Sequence, residues 1–329
     1  MTSLAPTLQA FFTDRLIAQR RASPHTIAGY RDTFRLLLGF AAARTGKRAC
    51  RLDLADLDAT LVAAFLDHLE HERHNAVRTR NHRLAAIHSL FAYAALRHPE
   101  HAGSIQRVLA IPAKRFERNL VTFLTEDEVD ALLAACDRTT WTGRRDHALV
   151  LLAVQTGLRV SELSSLTGAD VVLGTAAHVH CIGKGRKERS TPLIPLTVEV
   201  LRVWLAEHGA APAQPLVPTI KGARLSRDAI EHRIRRYANL AGDACPSIRT
   251  KHVAAHTLRH TAAMRLLLAG VDVTVIALWL GHEQVSSTNI YLHADMTQKK
   301  RAIARTAIPT TTAGRYRPSD PVLAFLEAL

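Results

Sequence analysis

The sequence predicts a mainly α-helical chain with a small antiparallel β-sheet, an α+β protein in two domains. Three observations lead there. The chain has 329 residues, too many for one small core. Apolar residues make up 47% and charged residues 22%, enough for both halves to bury cores. Long stretches of helical periodicity are interrupted once, by a cluster of short β-prone runs.

Four helices are expected over residues 4–97. The first lies in "TLQAFFTDRLIAQR", where the apolar positions recur at helical spacing. The second starts with Ser23 as cap and Pro24 at the first helical position, and it runs out at Gly46. The third is "ADLDATLVAAFLDHLEHER", from Ala55, preceded by a short extended "RLDL". The fourth, "AVRTRNHRLAAIHSLFAYAAL", sets Arg78, Arg80 and Arg83 near its start and Leu84, Ile87, Leu90, Phe91 and Ala94 on one face. Such a basic start over an apolar stripe suits a helix facing phosphate, and it equally suits a solvated charged face. Residues 1–107 are taken as this helical domain.

Residues 108–122 carry Pro112, Lys114, Arg115 and Arg118 and have no sustained periodicity, as expected of an interdomain linker crossing a charged partner. The pattern restarts at Thr125 with a capping box, Thr125 to Glu128. The second domain, 123–312, is helical except for "ADVVL", "AHVHCIG" and "ERSTPLI". The "GKGRKE" between the last two has the glycines and charges of an exposed hairpin tip. Helices follow near 196–208 and 226–241, then "HTLRHTAAMRLLLAG", "DVTVIALWLGH" and "SSTNIYLHADMTQKKRAIART". A tail, 313–329, ends in the amphipathic "DPVLAFLEAL".

Charge points to a polyanion. Lys and Arg number 43 against 29 Asp and Glu, a formal net charge of +14. The excess is spread, with 18 basic against 10 acidic residues over 1–118 and 25 against 19 over the rest. Both halves would attract phosphate, as in a protein that encloses nucleic acid; a basic surface without function is the plain alternative. Cys50, Cys136, Cys181 and Cys245 stand far apart with no C-x-x-C pair, which argues against a zinc ribbon or a disulfide framework and for reduced thiols. No signal peptide and no uncharged membrane-length run is visible, so a soluble cytoplasmic protein is expected.

"HTLRH" carries the sharpest chemistry. His256 and Arg259 share one helical face, and His260 is the i+4 neighbour of His256. Histidines so spaced can grip zinc, but the Glu of H-E-x-x-H is missing and no acidic residue lies near. The reading that uses the arginine is phosphate recognition, because a guanidinium makes paired hydrogen bonds to phosphate oxygens and keeps its charge. "TGLRVSEL" supplies a second one, Arg159. His260 reads as a capping or packing histidine, and Trp204 and Trp279 as core.

"TGLRVSEL", "IGKGRKERSTPL", "HTLRH", "LGH" and "TNIY", in that order over residues 156–291, resemble the catalytic domain of tyrosine recombinases, most closely the Xer-like phage and transposon integrases. Residues 1–107 are similar, more loosely, to the family's SAM-like core-binding DNA-binding domain. The resemblance implies a two-domain C-shaped clamp around DNA. It places the family's catalytic residues on Arg159, Lys184, His256, Arg259, His282 and Tyr291, with Glu162 in support. Lys187 is a rival to Lys184. Arg78, Arg80, Arg83, Lys114, Arg115, Arg186 and Lys187 are candidate DNA contacts.

The implied reaction is attack of Tyr291 on a DNA phosphodiester, giving a 3′-phosphotyrosine and a free 5′ hydroxyl that another strand can reverse. The two guanidiniums stabilise the developing charge. His256 serves as base, Lys184 protonates the leaving oxygen and His282 holds the phosphate. The resemblance implies no metal, ATP or other cofactor. It implies double-stranded DNA with specific recombination sites and a tetramer on two such sites, with a tail that docks on a neighbouring protomer or on its own domain. A second recombinase or accessory protein is a further possible partner, and no membrane is. The setting would be the bacterial cytoplasm at the nucleoid. The stretch at 206–225 and the residues after Tyr291 differ from a compact Xer protein, which inclines the reading to a mobile element. A type IB topoisomerase, a DNA-binding protein without catalysis and a metal-dependent nuclease are the rival classes; the last lacks clustered carboxylates.

Overall fold

The computed structural model describes residues 3–116, 121–183, 187–209 and 211–282, together with Thr288 and Tyr291. The chain divides into two compact units, Met1–Arg118 and Asn119–Leu329.

In the first unit α1 (Leu4–Ala10) runs into a wider helical stretch, Phe11–Gln19, where the Arg20 N–H reaches back five residues to the Arg15 carbonyl. Phe11 and Leu16 are buried there. α2 (Pro24–Thr45) has the ends the sequence predicts. Ser23 Oγ accepts the Thr26 N–H, Pro24 opens the first turn, and Gly46 closes it at φ 69°, a conformation that suits a residue without Cβ. α3 (Ala59–His71) starts later than expected because Asp58 caps it by accepting the Leu61 N–H at 2.7 Å. α4 (Val77–Ala95) buries the predicted stripe of Leu84, Ile87, Leu90, Phe91 and Ala94.

A fifth helix, α5 (Ala102–Leu109), was not expected. Its eight residues are too few for a sustained pattern, but Ile105 and Val108 are fully buried. They join Phe11, Phe34, Leu37, Phe65 and Phe91 in one core. Each such burial stabilises by about 1.5–3 kcal/mol.

The stretch expected as a linker is partly held by the first unit. Val108 lies in its core and Ile111 packs against it. Asn81 Nδ2 donates to the Lys114 carbonyl at 2.8 Å, and Asn81 Oδ1 accepts the Lys114 N–H. Residues 117–120 are outside the described residues.

The second unit is arranged around α7 (Trp141–Thr156), in which every residue from Ala148 to Val154 is buried. A helix buried on all sides must be covered by others. The cover is α6 (Glu126–Ala134), α9 (Pro195–His208), α10 (Arg227–Ala244) and α11 (Ala255–Leu268), which contribute to one core. α6 has the predicted capping box, with the Thr125 N–H donating to Glu128 Oε2 and the Glu128 N–H to Thr125 Oγ1. After a short α8 (Val160–Ser165) come β1 (Val171–Val172), β2 (His178–Ile182) and β3 (Glu188–Pro192), an antiparallel sheet in that order. Cys181 pairs with Arg189, and the Gly183 N–H donates to the Lys187 carbonyl at 2.7 Å to close the hairpin. α12 (Val273–Leu280) ends at Gly281 with φ 64°. No helix among the described residues is long and apolar enough to cross a membrane.

Truncation at α5 tests its part in the first core. Ile105→Ala is expected to destabilise that unit by about 2–5 kcal/mol, read from urea unfolding; a loss below about 0.5 kcal/mol, typical of surface positions, would mean α5 is not part of the cooperative core.

Candidate active site

Two glycine-ended helices bring the site together. Gly157 ends α7 with φ 65° and Gly281 ends α12 with φ 64°. The last carbonyls of a helix have no partner within it and carry partial negative charge. Here they face arginines. Arg259, one turn into α11 and 2% exposed, donates from Nη1 to the Gly157 carbonyl and from Nη2 to the Leu280 carbonyl, both at 2.7 Å. Arg159 donates from Nη2 to the Gly281 carbonyl at 3.2 Å. Trp279 Nε1 donates to the Thr156 carbonyl and completes the clasp between the two ends. At Gly157 a Cβ would lie 2.7 Å from Leu280 Cδ2, so the close approach of α12 needs the missing side chain.

Glu162 lies beneath Arg159 with its side chain 3% exposed. It accepts the Arg159 N–H and Nη1, and a second guanidinium, Arg189, donates Nη1 to Oε1 at 3.0 Å and Nη2 to Oε2 at 2.7 Å. Burial alone would raise the Glu162 carboxyl, but the hydrogen bonds from Arg189 and Arg159 and their charges hold it below the usual range. Arg259 is brought down to about 10 by burial and by Arg159, and it stays charged at neutral pH.

Tyr291 is buried, and its hydroxyl shares a hydrogen bond with His260 Nδ1 at 3.0 Å. His260 therefore does more than cap or pack. Its ring stands 4.2 Å from that of His256 and 5.5 Å from that of Tyr291, edge to face in both cases. Burial, then His256, Arg259 and His282, lower His260 to about 3. His282, whose Nδ1 shares a hydrogen bond with Thr288 Oγ1 at 2.7 Å, is lowered to about 4 by burial and by Arg259 and Arg159. Tyr291 is pushed up to about 12 by burial, against the pull of Arg259 and Arg159. His256 is exposed beside them.

Of the predicted residues, Arg159, Glu162, Arg259, His282 and Tyr291 are thus brought together, with His256 at the edge. Lys184 and Arg186 lie outside the described residues, as does the tail 313–329. Arg78, Arg115 and Lys187 are exposed. Arg80 corrects the expectation of a DNA contact: it is 5% exposed and donates to Asn81 Oδ1 and the Pro112 carbonyl. Its side chain braces the chain after α5 because the inner face of α4 carries it. Lys114 is engaged by Glu70 at 2.5 Å but remains half-exposed. Arg83 is half-buried, its guanidinium brought below its usual value by burial and by Arg73.

Sequence reasoning missed Arg189 and His260. For Arg189 the signal was strand alternation, since it shares the inward side of β3 with buried Thr191. For His260 it was the i+4 spacing from His256.

Residues 122–298 match the phage integrase family, and residues 10–98 match the phage integrase N-terminal SAM-like domain. The chain belongs to the phage integrase family. Its activity is site-specific recombination by way of a tyrosine, as its relatives bear out. A Sinorhizobium fredii integrase/recombinase, y4rC, is 54% identical over 99% of this chain and 98% of its own. The tyrosine recombinase XerC of Xanthomonas campestris pv. campestris is 32% identical over 86% of this chain and 83% of its own. The solved XerH site-specific recombinase, bound to palindromic difH substrate in a post-cleavage complex, shares the fold. Its TM-score is 0.68 at 22% identity, covering 87% of this chain and 81% of that one. Among its described residues the chain has a helical N-terminal unit and a C-terminal unit of helices and a small sheet.

The histidines give the integrase a pH dependence with a definite sign. His260 and His282 are held below their ordinary value, so the unfolded chain binds protons that the folded one refuses. Their contribution to stability is complete above about pH 6.5 and falls as pH drops toward about 4 and about 3. Urea unfolding is expected to show stability falling between pH 7 and 5, with a shallower slope in His260→Gln. Equal slopes in the two proteins would sink this account.

Proposed function

We propose that Arg159, Lys184, His256, Arg259, His282 and Tyr291 carry strand cleavage and rejoining, with Glu162 supporting Arg159. The observation that carries the reading is the pair of guanidiniums, Arg159 and Arg259, hung from the same turn at Leu280 and Gly281, with the buried Tyr291 hydroxyl within reach of both their charges. A phosphodiester oxygen gains negative charge as the tyrosine attacks, and two fixed cations stabilise that state more than the starting one. The Tyr291 oxygen forms the bond to phosphorus and the 5′ oxygen leaves with a proton, for which Lys184 is the donor. Bond energy is kept in the 3′-phosphotyrosine, so a second strand's 5′ hydroxyl reverses the step and no ATP is consumed.

His260 is not the base. Burial, His256, Arg259 and His282 push His260 down while burial pushes Tyr291 up, so proton transfer from the hydroxyl to this imidazole is unfavourable. Burial keeps the hydroxyl neutral before DNA arrives, with His260 as its hydrogen-bond partner, and His256 takes the proton once the phosphate's charge favours an imidazolium.

The partner we propose is double-stranded DNA carrying specific recombination sites. Four protomers act on two sites, since two duplexes offer four strands and each protomer supplies one nucleophile. Arg78, Arg83, Arg115, Arg186, Lys187 and the half-exposed Lys114 would meet the backbone, an electrostatic contact that weakens with salt. A mobile element is the proposed setting, with the bacterial nucleoid as the place of action and an accessory protein as a further partner.

Covalent trapping tests the reading. Nicked duplexes from the DNA flanking the gene, incubated in EDTA, are expected to yield a protein–DNA adduct on a denaturing gel with wild type and none with Tyr291→Phe. Adducts from both would move the nucleophile elsewhere. Arg259→Ala is expected to slow adduct formation by about 10²–10³-fold while DNA binding persists; an unchanged rate would remove Arg259 from the phosphate.

A further inference from the structure

Glu162 presents a difficulty for a site that must stabilise negative charge. It fixes Arg159 at two points, the backbone N–H to Oε2 at 2.7 Å and Nη1 to Oε1 at 3.0 Å. Its own charge, buried beside the phosphate-binding arginines, cancels one of them. Arg189 meets that difficulty. Its guanidinium takes both carboxylate oxygens in a forked pair, with the Arg189 and Glu162 side chains 11% and 3% exposed and Arg159 31% exposed. Arg159, Arg189 and Arg259 against Glu162 leave a net charge of about +2; without Arg189 it would be about +1.

Two further observations separate this from a plain structural clip between β3 and α8. Glycines make room for the guanidinium on two sides: a Cβ at Gly281 would lie 3.0 Å from Arg189 Nη1, and one at Gly183 would lie 3.1 Å from the same atom. Gly281 is also the residue whose carbonyl holds Arg159. In addition, Arg189 Nε is buried with no hydrogen-bond partner. A buried ion pair contributes little to stability over apolar packing, and one with an unmet N–H is a poor clip.

We propose that Arg189 is a positioning residue for strand cleavage: by neutralising Glu162 through a forked ion pair, it lets that carboxylate orient Arg159 while leaving the Arg159 charge available to the scissile phosphate. This rests on the reading of Arg159 as a phosphate-binding group.

The test compares Arg189→Met, Arg189→Lys, Glu162→Gln and the double variant Arg189→Met/Glu162→Gln. DNA affinity and single-turnover cleavage of the same nicked duplexes are measured separately, and thermal unfolding reports folding. Arg189→Met is expected to slow cleavage by about 10²-fold, with DNA affinity little changed. The double variant restores the net charge and is expected to cleave at least about tenfold faster than Arg189→Met. A double variant as slow as Arg189→Met or slower, with both folded, overturns the proposal, as does an Arg189→Met protein that cleaves like wild type. Arg189→Lys guards against misfolding of the methionine variant. Retained charge is expected to make it cleave at least about tenfold faster than Arg189→Met, though short of wild type because lysine cannot reproduce the fork, and a folded lysine protein as slow as Arg189→Met overturns the proposal. Arg159→Ala separates the two levels: wild-type cleavage by that variant would fell the underlying reading, whereas its inactivity leaves the Arg189 variants to judge the inference alone.

Discussion

A buried guanidinium between two helix ends is the contact on which the catalytic unit's site depends. Arg259 satisfies the Gly157 and Leu280 carbonyls at the close of α7 and α12. Neither side is stable alone: a buried cation without partners costs several kcal/mol, and buried helix-end carbonyls without donors also cost free energy. The short motifs around these glycines then make physical sense. Arg159 comes two residues after Gly157 and His282 one residue after Gly281, so whatever fixes the helix ends also places these two side chains.

The same burial sets the resting protonation of the site. It favours neutral forms of Tyr291, His260 and His282 and leaves the arginines charged. The DNA-free pocket is therefore rich in fixed positive charge and poor in bases able to take a proton from the tyrosine. On the reading proposed above, a phosphate diester placed there supplies the charge that reverses this, since a nearby negative charge pulls imidazole toward imidazolium and offsets the cations.

Features with local causes were legible in the sequence. Ser23, Pro24 and Gly46 mark α2, and Thr125 with Glu128 marks α6, because caps act within a few residues of themselves. The ordered motifs around Arg159, Arg259, His282 and Tyr291 pointed to the family that residues 122–298 match. Features decided by distant partners were not legible. α5 is an eight-residue helix whose existence depends on a core assembled from segments far from it in the chain. Arg80 looked like its neighbours Arg78 and Arg83 until α4 turned it toward Pro112. Arg189 was one basic residue among several in "GKGRKER" until strand pairing turned it onto Glu162, 27 positions earlier in the chain.

The clip formed by Asn81 on Lys114 also couples two parts of the first unit. The two hydrogen bonds between the Asn81 amide and the Lys114 backbone fasten the chain's exit from the first unit to the start of α4, so whatever unfolds that end of α4 also frees the segment that leaves the unit.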